Sequence, residues 1–160
     1  MSRHQLCYND YMQLQIGVKV LIKNSKGAFL FLKRSQLLST DTENSWDIPG
    51  GRISPDESLK DALVREVFEE INHTLTAKPT LVAAQDIFVD AKDLHVVRLT
   101  YITTEDIPAI VLSDEHADYG WRRLDEIDTM NIEPYLKTVL QSPRLQKLKQ
   151  RGTNNKYGDN

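Results

Sequence analysis

Apolar and polar residues alternate from Leu14 to Lys23 in LQIGVKVLIK, a run rich in β-branched side chains, and this period of two predicts a strand. Asn24-Ser25-Lys26-Gly27 supplies turn residues and Ala28 to Lys33 reads as a return strand, so the two runs predict a hairpin. A polar connection follows at 34–45, with Leu37 and Leu38 as its anchors and Asp41 to Ser45 expected at the surface. Trp46 to Ile48 predicts a short extended segment, with Trp46 as scaffold. The period then lengthens: Leu59, Ala62, Leu63, Val67 and Ile71 fall on one helical stripe. Leu81 to Val89 and Leu94 to Thr103 predict two strands joined across 90–93, with His95 as a packed or edge histidine. An apolar patch, Ile107 to Leu112, precedes an acidic stretch. Tyr119 to Arg122 predicts a last strand, and Phe88, Tyr119 and Trp121 are expected in the core. In IEPYLKTVLQSPRLQKLKQ, Ile132, Tyr135, Leu136, Val139 and Leu140 suit one face of a closing helix that Ser142-Pro143 interrupts.

This order of elements predicts a mixed sheet with helices packed on its faces, α/β or α+β in class. The 160 residues, 40% hydrophobic and 27% charged, suit one domain, placed at 13–149. Residues 1–12 read as an extension whose Tyr8 and Tyr11 offer packing or subunit contacts, and 150–160 as a disordered tail. A net charge of -3 with scattered cations argues against general nucleic-acid binding. Cys7 is the single cysteine, which excludes an intrachain disulfide and a thiolate cluster and favours a cytoplasmic protein. The first residues lack an apolar leader core, and no apolar run is long enough to cross a bilayer.

The helix with this stripe carries Arg65, Glu66, Glu69 and Glu70 in its second half, on the flank away from the apolar positions. Glu66 and Glu70 stand one turn apart with Glu69 beside them, an arrangement that costs a few tenths of a kcal/mol in like-charge repulsion. A solvated acidic face and a site for a hard divalent cation such as Mg²⁺ both account for this run. Ahead of it, Gly50-Gly51 gives backbone freedom and close approach. Two helix starts compete: Ser54 with Glu57, and Ser58 with Asp61.

The stretch WDIPGGRISPDESLKDALVREVFEEINH resembles the Nudix box. Gly51 matches its opening glycine, Glu57 its next carboxylate, Arg65-Glu66 its Arg-Glu pair, Val67 its hydrophobic position and Glu69-Glu70 its closing pair. Asn72 and His73 depart from the family's glycine and aliphatic residue, and Asn72 can still end the helix in the left-handed conformation. The resemblance implies an α/β/α sandwich with a mixed sheet and the box helix on one face. It favours the later helix start, leaving Glu57 in the loop to pair with Arg65.

It further implies Mg²⁺, with Mn²⁺ as a substitute, held by the Gly50 carbonyl, Glu66, Glu69 and Glu70. Such an ion would serve hydrolysis of a phosphoanhydride. Either Glu66 or Glu69 doubles as the proton acceptor. Arg65 braces Glu57 and Glu69 in preference to touching phosphate, while Arg52, beside Gly51, faces the phosphates. Glu115 from a later loop, or Asp114 if the register slips by one, joins the metals or acts as base; His116 reads as structural. The Glu-His-then-Trp arrangement at Glu115, His116 and Trp121 looks closest to MutT-like pyrophosphatases that cleave an NTP to NMP and pyrophosphate. The alternatives are a nucleotide-sugar or ADP-ribose hydrolase, a non-catalytic nucleotide-binding module and an RNA 5′-end pyrophosphohydrolase. The resemblance also implies pairing into a homodimer.

Overall fold

The computed structural model describes residues 12–35 and 45–147. Tyr8, Tyr11, Leu37, Leu38, residues 41–44 and the expected tail at 150–160 lie outside the described residues. Six strands and two helices follow in chain order: β1 (Gln13–Lys23), β2 (Phe29–Arg34), β3 (Trp46–Asp47), α1 (Leu59–Ile71), β4 (Thr80–Val89), β5 (Leu94–Thr104), β6 (His116–Arg122) and α2 (Pro134–Leu140). One mixed sheet has the order β3-β2-β1-β5-β4, and β6 pairs with β2.

Alternation along the strands splits the core into two layers. Val18, Val20, Ile22, Leu30 and Leu32 pack with Ala62, Leu63, Val67 and Ile71 of α1. Leu21, Phe29 and Phe31 face the other way and pack with Leu136, Val139 and Leu140 of α2. The result is the expected α/β/α sandwich, with the acidic helix on one face.

The predicted hairpin is a shallow one. β1 and β2 pair antiparallel at Lys23 and Phe29, next to the turn, whereas the full length of β1 runs parallel to β5. The strands part because another segment takes the free edge of β1. Val18 N–H donates to the Gly51 carbonyl, Val20 N–H to Pro49, and Ile53 N–H to Ile16. This wedge carries the diglycine into the middle of the sheet, and the backbone has to be bare there. Gly50 has φ 129°, and a β-carbon on it would overlap the Val18 carbonyl.

The later of the two helix starts is the one formed: Ser58 Oγ accepts from Asp61 N–H at 3.1 Å. At the other end Asn72 sits at φ 54° and donates its N–H to the Phe68 carbonyl. Asn72→Gly should therefore leave stability unchanged within experimental error. Asn72→Ala should cost about 1 kcal/mol in urea denaturation, because alanine lacks asparagine's tolerance of this region. Beyond the cap, Glu105 accepts from Thr76 and Ala77 N–H and from Thr76 Oγ1, and it contacts His73 Nε2 at 3.0 Å. His73 thus serves this polar clamp.

Several side chains depart from expectation. Leu59, the first residue of α1, is exposed and does not join the buried stripe. Ser45 is 3% exposed, since its carbonyl accepts from Arg34 N–H at the sheet edge. Phe88 is 56% exposed and stacks on His95, 4.4 Å between ring centres, while Tyr119 is also exposed. Strand alternation turns Phe88 away from the face on which Ile87 is buried. Trp121 packs against the α1 layer and Trp46 against the α2 layer. β6 begins at His116, three residues before the expected Tyr119. The closing helix ends at Leu140; a further helical turn from Pro143 places Leu145 in the α2 layer. No helix among the described residues is long and apolar enough to cross a membrane.

Candidate active site

A cleft of about 720 Å³ opens where β1 and β2 part. Gly50, Gly51 and Arg52 reach it from the wedge, Glu66 and Glu70 from α1, and Glu115 and His116 from the start of β6. These groups come from separate stretches of the chain, and the wedge and helix bring them together.

Glu70 is the buried member of the acidic run, at 6% exposure. Its Oε2 accepts from Gly50 N–H at 2.8 Å, while Oε1 lies 3.8 Å from His116 Nε2. Burial pushes the Glu70 carboxyl up to about 7, and the nearby Asp47 and Glu66 charges add to the rise despite Lys19 and the Gly50 N–H. Burial moves His116 in the opposite sense, down to about 4, assisted by Lys19 and Arg34. Near neutral pH this imidazole is therefore neutral, and its buried Nδ1 has no hydrogen-bond partner among the described residues.

Arg65 occupies the braced position. Its Nε and Nη2 reach the two Glu57 oxygens at 2.7 and 2.9 Å, and Nη1 reaches Glu66 at 2.8 Å and Glu69 at 3.1 Å. Nη2 also donates to the Arg52 carbonyl. The fork thus ties the loop to the helix. Hydrogen bonding from Arg65, with the Ser54 N–H, holds the Glu57 carboxyl well below its usual range, at about 2. Gly51 stands so close to Glu66 that a β-carbon would collide with its carboxylate. Glu69 is exposed, turned to Arg65 and absent from the cleft lining, so the cleft gathers two of the three clustered glutamates.

Among the described residues no three acidic, histidine or cysteine side chains stand close enough to hold a metal as they are. The cause is local, since Arg65 engages Glu66 and Glu69 while Glu70 turns to a backbone amide. The donor chemistry nevertheless fits a hard divalent ion. Glu66 and Glu70 are oxygen donors on one cleft, and the Glu70 carboxylate is held unfavourably by its burial, with smaller contributions from the Asp47 and Glu66 charges.

Sequence reasoning missed a second group on the same cleft. Buried Asp47 lies 2.9 Å from Lys19 Nζ, 3.5 Å from Arg34 and 3.8 Å from Arg98, and Arg98 pairs with Glu133 at 2.8 Å. Lys19 interrupts the strand alternation on the α2 face, and that polar residue at an inward position was the available signal.

A NUDIX domain matches residues 13–142. The chain belongs to this family. It is 39% identical over 64 residues to a putative 8-oxo-dGTP diphosphatase of Bacillus subtilis (strain 168), covering 39% of each protein. Over 62 residues it is 39% identical to an RNA pyrophosphohydrolase of Pasteurella multocida (strain Pm70), covering 39% of the chain and 28% of that protein. The matches thus span well under half the length of these curated relatives. Among solved structures, a MutT protein from Methanosarcina mazei Go1 superposes with a TM-score of 0.67 at 27% identity, covering 91% of this chain and 96% of that one.

Proposed function

We propose that the chain is a Mg²⁺-dependent hydrolase that converts a nucleoside or deoxynucleoside triphosphate to the monophosphate and pyrophosphate. The observation that carries this reading is the cleft shared by Glu66, Glu70, the diglycine and Arg52. Glu66, Glu70 and the Gly50 carbonyl would hold the ion, with Glu69 as the outer member of the set and Mn²⁺ as a substitute. When bound, a divalent ion neutralises phosphate oxygens and acidifies a water.

The chain's own part is orientation and proton transfer. Arg52, exposed beside Gly51, binds phosphate oxygens. Water adds to one phosphorus as the bond to the bridging oxygen breaks, and the water's proton passes to Glu66, Glu69 or Glu115. Arg65 holds Glu66 and Glu69 in register for that transfer, and the Gly50 N–H fixes Glu70. Likeness to a protein named for 8-oxo-dGTP supports a triphosphate substrate.

Product analysis tests the reading. Pyrophosphate released from NTPs or dNTPs with Mg²⁺ is the expected result. Two monophosphates from a nucleotide sugar or ADP-ribose, or pyrophosphate only from triphosphorylated RNA, would replace the substrate assignment. Tight nucleotide binding without turnover of any of them would make the chain a binding module. Glu57→Gln should lower turnover by about tenfold, because it loosens Arg65 while leaving the cleft carboxylates in place. Steady-state rates, with circular dichroism to verify the fold, check this.

A further inference from the structure

Tyr135 falls on the apolar stripe expected of the closing helix, yet it is 38% exposed and lines the cleft. Two contacts hold it there. The Gln85 side chain donates to the Tyr135 carbonyl at 3.0 Å, and the Arg98 guanidinium carbon lies 5.9 Å from the ring centre. Strand register locates these contacts on the sheet. Gly17, Arg98 and Gln85 form one row across β1, β5 and β4; Gln15, Val96 and Ile87 form the next on the same face; Leu94 and Val89 follow.

Tyr135 is therefore anchored to the Arg98 row, and beside it an apolar floor of Val96, Ile87, Leu94 and Val89 continues along the cleft to Lys92. In the other direction the floor passes over Gly17. A β-carbon there would meet the Gly51 carbonyl at 3.6 Å and Val96 at 3.9 Å, and Gly17, Gly51 and Glu66 line the same cleft as the floor.

We infer that Tyr135, backed by Arg98, is the specificity-determining wall of a slot that takes the planar ring of the substrate's nucleoside, lying against the Val96–Ile87 floor. This rests on the proposed hydrolysis at Glu66 and Glu70, with the phosphates at that end of the cleft. An aromatic face beside an apolar floor accepts the π-face of any base by stacking. Gln15 lines the slot and supplies amide donor and acceptor groups for a base edge.

The experiment compares Tyr135→Ala, Tyr135→Phe and wild type on dGTP and on inorganic tripolyphosphate, which has the anhydride and no ring. Tyr135→Ala should raise KM for dGTP by about ten- to a hundredfold while kcat stays within about twofold, matching the loss of one base stack. KM for tripolyphosphate should not move, and Tyr135→Phe should behave as wild type on both. Equal losses on dGTP and tripolyphosphate, or no loss on dGTP, would overturn the slot. If wild type hydrolyses neither compound, the same variants are compared by calorimetric dGTP binding. A weakened Kd in Tyr135→Ala then supports the slot while the hydrolysis reading fails, and an unchanged Kd overturns the slot.

Discussion

Glu70→Gln is expected to lower Mg²⁺-dependent turnover by at least about a hundredfold and, in the absence of metal, to make the protein more stable at pH 8. Glutamine keeps the shape and can still accept from the Gly50 N–H, so the fold should survive. What it removes is a charge that the folded chain holds poorly, because burial raises the Glu70 carboxyl from 4.5 to about 7. Between those values the folded state binds the proton more tightly than the unfolded chain, so stability falls as pH rises. The contribution is complete below about pH 4.5 and lost above about pH 7, amounting to about 3 kcal/mol. Glutamine is neutral throughout and escapes this loss. Melting curves from pH 5 to 8 should show wild type losing stability relative to Glu70→Gln. Added Mg²⁺ should restore wild type at pH 8 through preferential binding to the folded state, with little effect on the variant. Retained turnover would remove Glu70 from the site, and equal Mg²⁺ stabilisation of both proteins would remove it from the metal.

Glu70 also marks where the sequence was legible and where it was not. The helical stripe Ala62, Leu63, Val67 and Ile71 is visible as a period, and all four residues are fully buried. The Nudix-like spacing singled out Arg65, Glu66, Glu69 and Glu70, but spacing cannot say which glutamate is buried. That depends on the wedge 49–53 lying against β1, a pairing between segments about 30 residues apart that replaces part of the predicted hairpin. Local turn chemistry at Asn24 to Gly27 correctly forecast the turn and said nothing of the competing edge. Tyr135 fails for a related reason, since helical periodicity places it on the apolar stripe, whereas its ring lines the cleft beside Arg98 of a strand distant in sequence. Asp47 had no local signature at all, because its cationic partners come from three other strands.

Asp47→Asn should be among the most destabilising single-atom exchanges available, costing about 3–5 kcal/mol in urea denaturation at neutral pH. Burial by itself would raise the Asp47 carboxyl, but the charges of Lys19 and Arg98, with the Ile48 N–H, outweigh it and hold it at about 2. The stability tied to this group is therefore present above about pH 4 and disappears as pH falls towards 2, the reverse of the Glu70 dependence. Asparagine preserves the volume and leaves the Lys19 ammonium and Arg98 guanidinium, both largely buried, facing one another without their shared anion. Arg98 keeps its 2.8 Å partner Glu133, whereas Lys19 keeps a hydrogen bond to the Ile48 carbonyl and the more distant charge of Glu70, so most of the strain should fall on Lys19. Asp47→Asn combined with Lys19→Met should recover a substantial part of the loss, as coupled neighbours do in a double-mutant cycle. A cost below about 1 kcal/mol for the single change, or strict additivity in the double, would mean that solvent in the cleft already screens the pair. Because Lys19 and Arg98 both line the cleft, the single variant should also change the dependence of nucleotide affinity on salt. Under the proposed hydrolysis, this would link the buried anion to function, with Asp47 fixing two cations of the cleft and lowering their net charge ahead of a polyanionic substrate.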